Sequence, residues 1–497
     1  MEEKTLYLPT EHNDRIIAFI GSPLGLLAAW LVLINTVTFL IFGVDKLLAK
    51  HPRFRQRVPE KNLLLLAVVG GSVAHSYSGA GITNVFDKGN TTVTINGGTF
   101  KPSESILADS NGGINLKAAV IGGGLAYGAN TSTVLGSDTQ DVTSRVTISG
   151  NANVNGKVVA GSVVANGGYS AIVHGDTLLS MSGGTVSDDL VGGGMVQDAV
   201  TLPAQTASAE AGENPNAPKQ PDANLIVTGD SSVTVEGGTA NGEIVGGNYV
   251  RGNGSARVEN SSVTITSGTF SLDTANKAQY VIGGNKSMAY KGDTAKTLVE
   301  KDSGVLVNGN VNIADGAVVG SMAKAENDGK ATATVAGNSG VQVDKGTLAG
   351  VVGGGLAETY YHTGEGSATS SVDGTSSVTI NGGTINGIAY GAVAAGTSSA
   401  ALVGGGLANG AGSSASVTNT SVTIAGGKID GKVVAGGLAI NGGTTTAGEN
   451  TLLTMTDGAV SGDLIGGNLL EKDGKEGSVI AGSTVNVKGG TVAGEIY

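Results

Sequence analysis

The sequence predicts a mostly β fold, a parallel β-helix set behind an N-terminal transmembrane helical hairpin. Three observations carry that reading. One phrase recurs: SSVTVEGGTANGEIVGGNY at 231–249 returns as SSVTINGGTINGIAYG at 376–391 and as SVTIAGGKIDGKVVAGGLA at 421–439. Glycine supplies 84 of 497 residues and aromatic residues only 4%, which suits many short strands and tight turns better than an ordinary globular core. An apolar run without a charge, Ile16 to Phe42, precedes all of it. A single copy of the phrase cannot cover its own apolar face and must stack on its neighbours.

Residues 1–15 read as a polar tail of mixed charge. The run 16–42 is long enough, at ~1.5 Å per residue, to cross a hydrocarbon core of ~30 Å. Residues 43–61 gather Lys46, Lys50, Arg53, Arg55, Arg57 and Lys61 against Asp45 and Glu60. The positive-inside rule makes that loop cytoplasmic and puts the N-terminus outside. A second apolar run opens residues 62–80 with NLLLLAVVGGSVA. It reads as a second membrane segment or as an internal signal-like segment. In the signal reading Ser72-Val73-Ala74 is the small-residue pattern and cleavage falls near Ala74. On both readings the chain beyond residue 75 goes outward, and membrane lipid is the partner of 16–42 and 62–80.

Asn35, Phe39, Gly43-Val44-Asp45-Lys46, Ala49, the basic run ending at Arg57, Pro59-Glu60, Leu63 to Leu66 and Gly70-Gly71 resemble the domain-of-unknown-function 1294 family. The resemblance covers residues 31–73 and implies a bacterial protein of two membrane helices. The basic run that follows the second helix in that family is missing here, where glycine repeats begin instead.

The repeats are expected over 81–497. Aligned on the residue after the Gly-Gly turn, eleven units are found, at Thr99, Ala152, Thr185, Thr239, Thr269, Ala317, Thr347, Thr384, Lys428, Ala459 and Thr491. The shortest steps, 30–33 residues, set the basic period; the longer ones carry insertions or an extra coil. Within a unit the alternation has period two: Val233 and Val235 point one way, Ser232 and Thr234 the other, so each strand has one buried face. Recurrence of the whole unit favours coil-on-coil stacking over hairpins. Eleven coils at ~4.8 Å make a rod on the order of 50 Å. Tyr497 falls in mid-unit, so the repeat domain reads as truncated at its C-terminal end, with an open edge on its last coil.

Function on a repetitive scaffold is sought in its interruptions. Asp198 to Asn224 holds four of the nine prolines, Pro203, Pro215, Pro218 and Pro221, and must leave the sheet. A second interruption, AETYYHTGEGSATSSVDG, carries Tyr360, Tyr361 and His362, and a third, SMAYKGDTAKTLVEKDSG, surrounds Tyr290. These four are the candidate ligand contacts.

Other chemistry is not predicted. There is no cysteine, so disulfides, thiolate metal sites and cysteine nucleophiles are excluded. Residues 1–74 carry +2 and the rest −14 of the net −12; an acidic repeat region argues against nucleic acid. The triplets Gly122-Gly123-Gly124 and Gly404-Gly405-Gly406 lack the Lys-Ser/Thr of a phosphate loop and read as corners. No GGxGxD array marks calcium. His75, His174 and His362 have no partner pattern. Arginine occurs in the repeats only at Arg145, Arg251 and Arg257, and no carboxylate pair is expected at neighbouring coil positions, as a glycan-cleaving site requires. The outward row Ser232/Thr234, Ser262/Thr264 and Ser377/Thr379 reads as threonine suiting an exposed strand. No catalytic, cofactor-binding or metal residue is assigned.

Gly183-Gly184-Thr185-Val186 and the run from Gly458 to Asn468, GAVSGDLIGGN, resemble the passenger domains of bacterial autotransporter adhesins. That resemblance covers residues 85–497 and implies a right-handed β-helix, displayed or secreted, without enzymatic activity. Its implied partner is a host-surface protein or glycan. Two alternatives stand beside it: an inner-membrane two-helix protein fused to surface repeats, and a polysaccharide-active β-helix.

Overall fold

Alternation builds the sheets. In Ser231–Ala240, Ser231, Val233 and Val235 are buried while Ser232 and Thr234 are partly exposed. A Gly-Gly turn follows, with Gly238 at φ +87°, a conformation that costs glycine little and a β-branched residue much. The chain then makes a short return strand and starts the next round.

The computed structural model describes residues 69–75, 83–100, 118–128, 130–165, 167–197, 224–270, 280–360, 366–387, 400–479 and 481–497. The expected span 16–42, the basic segment 43–61, and the greater part of 62–80 and of the proline-rich interruption lie outside these residues. Among the described residues no helix is long and apolar enough to cross a membrane.

The described chain is mostly β and forms two long sheets in which the strand pairings are parallel, in the arrangement of a parallel β-helix. Eleven coils follow one another: 69–100, 118–154, 157–186, 190–240, 244–270, 281–313, 318–348, 351–385, 400–429, 432–460 and 464–492, numbered 1 to 11. Most coils open with two short strands around a glycine-bearing corner, such as Ile244–Val245 and Tyr249–Arg251 in coil 5; in coils 7 and 8 the same stretches belong to the continuous strands Asn312–Glu326 and Thr347–Tyr360. Two longer strands of the second sheet follow, Gly254–Val258 and Ser261–Phe270, and the tail of the latter is the return strand. Register is kept from coil to coil, as in Val233↔Val263 and Val235↔Ile265.

Four readings of the sequence differ from this arrangement. The coils begin at Val69, ahead of Gly81, because Val69-Gly70-Gly71-Ser72-Val73-Ala74 is itself a copy of the corner phrase. The unit aligned at Ala317 pairs instead through Asn312, opposite Thr347; Asp315-Gly316 imitates the turn signal. The longest units hold one coil each, not two. The stretch 287–304, read as an interruption, is strand for the most part: Lys286–Ala289, Thr294–Val299 and Ser303–Val307.

The main core stacks Val146, Leu179, Val233, Val263, Val305 and their successors in one row, all buried. A second core under the first long strand of each coil is rich in alanine, including Ala295, Ala331, Ala333, Ala368 and Ala415. Small side chains let the facing strands approach closely, and their weak hydropathy hides the strands from a pattern search. Serine and threonine open the other long strands from inside. Ser144 Oγ donates to Ala160 O at 2.5 Å, Ser339 Oγ to Gly353 O at 2.7 Å and Ser376 Oγ to Gly404 O at 2.5 Å. These hydroxyls satisfy corner carbonyls that would otherwise be buried without a donor. Outside, Thr234 and Thr264 are in register, but Leu306 and Gln342 interrupt the row before Thr379. Val487 on coil 11 is exposed, as are Ile496, which bridges to Leu464, and Tyr497.

Candidate functional site, a charged seam beside the main core

Consecutive buried residues mark a further apolar layer. In Lys157–Val159, Val158 enters the main core, whereas Val159 packs on the opposite face with Val163 and Ala165. Val164, between the latter two, joins the alanine-rich core. The two strands flanking the corner are therefore buried on both faces, and a seam runs between them. In later coils Ile282, Val319, Val352 and Leu356 continue it.

Charged side chains stand along this seam. Lys157, Asp189 and Glu243 each precede the paired apolar residues of their coil, and the registers Val158↔Leu190 and Leu190↔Ile244 put them in one row. Lys157 Nζ is 2.8 Å from Asp188 Oδ1 and also pairs with Asp189. Lys286, from the other wall, pairs with Glu243. Tyr249 lies between the two lysines, its ring centroid 5.4 Å from Lys157 Nζ and 4.9 Å from Lys286 Nζ. Asp189 and Glu243 thus form the neighbouring-coil carboxylate pair that the sequence reading did not expect. The register needed to see it spans the interruption 198–223.

Burial alone would raise the Asp189 carboxyl, but the charges of Lys157 and Lys286 hold it down at about 2. Burial alone would lower both lysines; Asp189 raises Lys157 and Glu243 raises Lys286 well above the ordinary lysine range. General acid–base work needs ionisation near the working pH. These groups are pushed away from it and behave as fixed charges.

Further along, Arg251, Met288, Lys324 and Glu358 share a row. Arg251 Nε donates to Tyr290 Oη at 2.9 Å, and its guanidinium carbon lies 5.2 Å from that ring centroid. Lys324 Nζ lies 4.3 Å from the Tyr360 centroid. Tyr360 Oη donates to Glu358 Oε2 at 2.8 Å, and Tyr280 Oη to Glu358 Oε1 at 3.5 Å. Glu326, in register with Tyr360, acts on Arg251, Tyr290 and Tyr360 alike. Arg251 and Lys324 therefore lie on tyrosine rings and form no ion pair among the described residues.

Two of the four sequence-predicted contacts are thus brought together. Tyr290, partly exposed, follows the strand Lys286–Ala289, and Tyr360, buried, ends the strand Thr347–Tyr360 two coils on. Tyr360 is strand rather than loop. Tyr361 and His362 lie outside the described residues. The sequence reading missed Lys157, Asp189, Glu243, Lys286, Arg251 and Lys324. For Lys157, Asp189 and Glu243 the signal was a charge just before the apolar pair of the corner phrase, seen again in Lys432, whose Nζ lies 3.6 Å from both Asp463 and Glu471. Among the described residues no group of three or more metal-ligating side chains occurs.

A family model described as "Protein of unknown function (DUF1294)" matches residues 35–79. No curated protein and no solved structure matches the chain. The matched segment is a small part of the sequence, and it runs across residues 69–75 of coil 1.

Proposed function

We propose that the coiled region is a non-enzymatic, adhesin-like β-helix, right-handed in its winding, displayed at the cell surface or secreted and routed there by the N-terminal segment. The strip Arg251–Tyr290–Lys324–Glu326 is the observation that supports a recognition role. It sets an aromatic ring, two cations with no ion pair among the described residues and a carboxylate side by side, all partly exposed. Donors, an acceptor and an apolar ring face are what an oligosaccharide or a protein surface engages. The charges of Arg251 and Lys324 offset those of Glu326 and Glu358, which favours an uncharged glycan over an acidic one. Brief proteolysis of intact cells tests display: the repeats should be digested without lysis, and repeats that stay protected until lysis overturn it.

The match at 35–79 favours a second reading, an inner-membrane protein of the two-helix kind fused to repeats. Long-read sequencing across codons 70–85 tests it, and an uninterrupted reading frame in independent isolates removes the case for an accidental join.

A further inference from the structure

Residues 69–75 carry two sequence signals at once. They extend the apolar run read above as a membrane segment, and the family match covers them. They also spell the corner phrase, VGGSVAH beside VGGGLAE at 352–358. The structure uses them as the phrase. Val73–His75 pairs in parallel with Leu125–Tyr127, and Val69 bridges to Ile121. The Gly70 amide donates to Ile121 O at 2.9 Å and the Leu125 amide to Ser72 O at 3.0 Å. Ala74 is fully buried.

We propose that this segment is the first rung of the folded protein, and that rung formation and membrane crossing by the same residues exclude each other. A helical crossing takes about 20 residues. The seven residues between Lys61 and Val69, as helix, reach only about 10 Å. A crossing at 62–80 must therefore consume 69–75 and satisfy their backbone groups within its own helix. Coil 2 then loses the partners of the Leu125 amide and the Ile121 carbonyl, and its seam residues Leu125 and Tyr127 lose their cover.

Two consequences follow. The bond after Ala74 is not cut in the folded chain, because it lies inside a paired strand. The proposal then leaves 16–42 as the candidate crossing, which predicts residues 1–15 on one side and the basic segment 43–61 on the other, the side from which the coils follow. By the positive-inside rule that side is the cytoplasm; outward display requires the basic segment to be carried out with the coils. The inference itself goes beyond the display reading and holds for either side.

The chain has no cysteine, so engineered pairs are unambiguous, and parallel register partners fall within disulfide reach. The full chain carrying Val73→Cys and Leu125→Cys is oxidised in membranes of the expressing cells. It should cross-link as fully as a control pair inside the solenoid, Val163→Cys with Met195→Cys, which are in register. A cross-linked control beside an unlinked test pair overturns the proposal. Val69→Cys with Ile121→Cys repeats the test without touching Leu125. A mature chain starting at His75, found by mass spectrometry, overturns it too. Tags at residues 1 and 497 should report opposite sides of the membrane, and the same side is the contrary result. Display fails separately, when the tag at 497 is cytoplasmic.

Discussion

The backbone amide of Glu243 donates to Asp189 Oδ1 at 2.9 Å, and the Asp189 carboxylate also carries the ion pair with Lys157. One carboxylate thus holds three coils: its own, the one before and the one after. Its folded ionisation lies at about 2, against ~3.9 for a free aspartate. Between these values the unfolded chain binds more protons, so stability falls as the pH falls. The contribution is complete above pH ~4, lost through pH ~2, and worth roughly 2 kcal/mol. Thermal unfolding followed by circular dichroism should show this loss in the unsubstituted chain. Asp189→Asn should be less stable at neutral pH and lose less on acidification; an equal acid loss in both proteins contradicts the assignment.

Tyr290 gives the alkaline counterpart. Burial, assisted by Tyr249, pushes its phenol up to about 12, although Arg251 pulls the other way. A raised acid favours its neutral form in the fold. Its contribution is complete below the unfolded value near ~10 and is lost as the pH rises towards about 12. A phenolate absorbance titration should lose its component near 12 in Tyr290→Phe. In Arg251→Met the same component should move higher, because the lowering charge is gone; an unmoved component contradicts the contact.

Some corners have no room for a side chain, although Ala160 and Ala435 occupy the equivalent place in theirs. A Cβ on Gly122 would stand 2.2 Å from Ala160 O and 2.8 Å from a methyl of Val146, whereas one on Gly97 would meet nothing within 4 Å. Gly122→Ala should cost about 2–4 kcal/mol, the range of overpacked or strained core positions, and Gly97→Ala should be close to neutral. Urea midpoints of the two variants decide it, and equal midpoints would remove the corner argument.

Hydroxyls of the inner row are not equivalent. Ser376 Oγ donates to Gly404 O, whereas Ser303 Oγ, equally internal, finds no partner among the described residues. Ser376→Ala strands a buried carbonyl and should cost about 1–3 kcal/mol. Ser303→Ala removes an unsatisfied group and should be neutral or stabilising. Denaturation of both variants side by side is the measurement, and a costly Ser303→Ala would be the contrary result.

What was legible in the chain follows from periodicity. Val233 and Val235, expected on one buried face, are buried, and in the copy at 421–439 Val422, Ile424, Ile429, Val433 and Val434 are fully buried. Period two reads correctly wherever the inward residues are large and branched. It fails at Ala295, Ala331 and Ala333, where the interior is narrow and alanine carries little signal. Lys157, Asp189 and Glu243 stayed hidden for another reason. Residues on adjacent coils are neighbours only once the register is known, and loops of unequal length between coils erase any fixed spacing. Tyr290 and Tyr360 were found as aromatic residues in an aromatic-poor chain, and their common neighbour Glu326 was not visible until the strands were stacked.

The ladder between coils 10 and 11 runs Val433↔Leu464 and Leu438↔Leu469, so its bonds point along the stack. A tensile load applied from end to end falls on one rung at a time, and the outermost rung is the weakest link. Under pulling, such a molecule lengthens in steps. Each step frees about 30 residues, or about 100 Å of extended chain, while the remaining coils stay wound. A stack of this kind answers a pull by paying out length rather than by breaking.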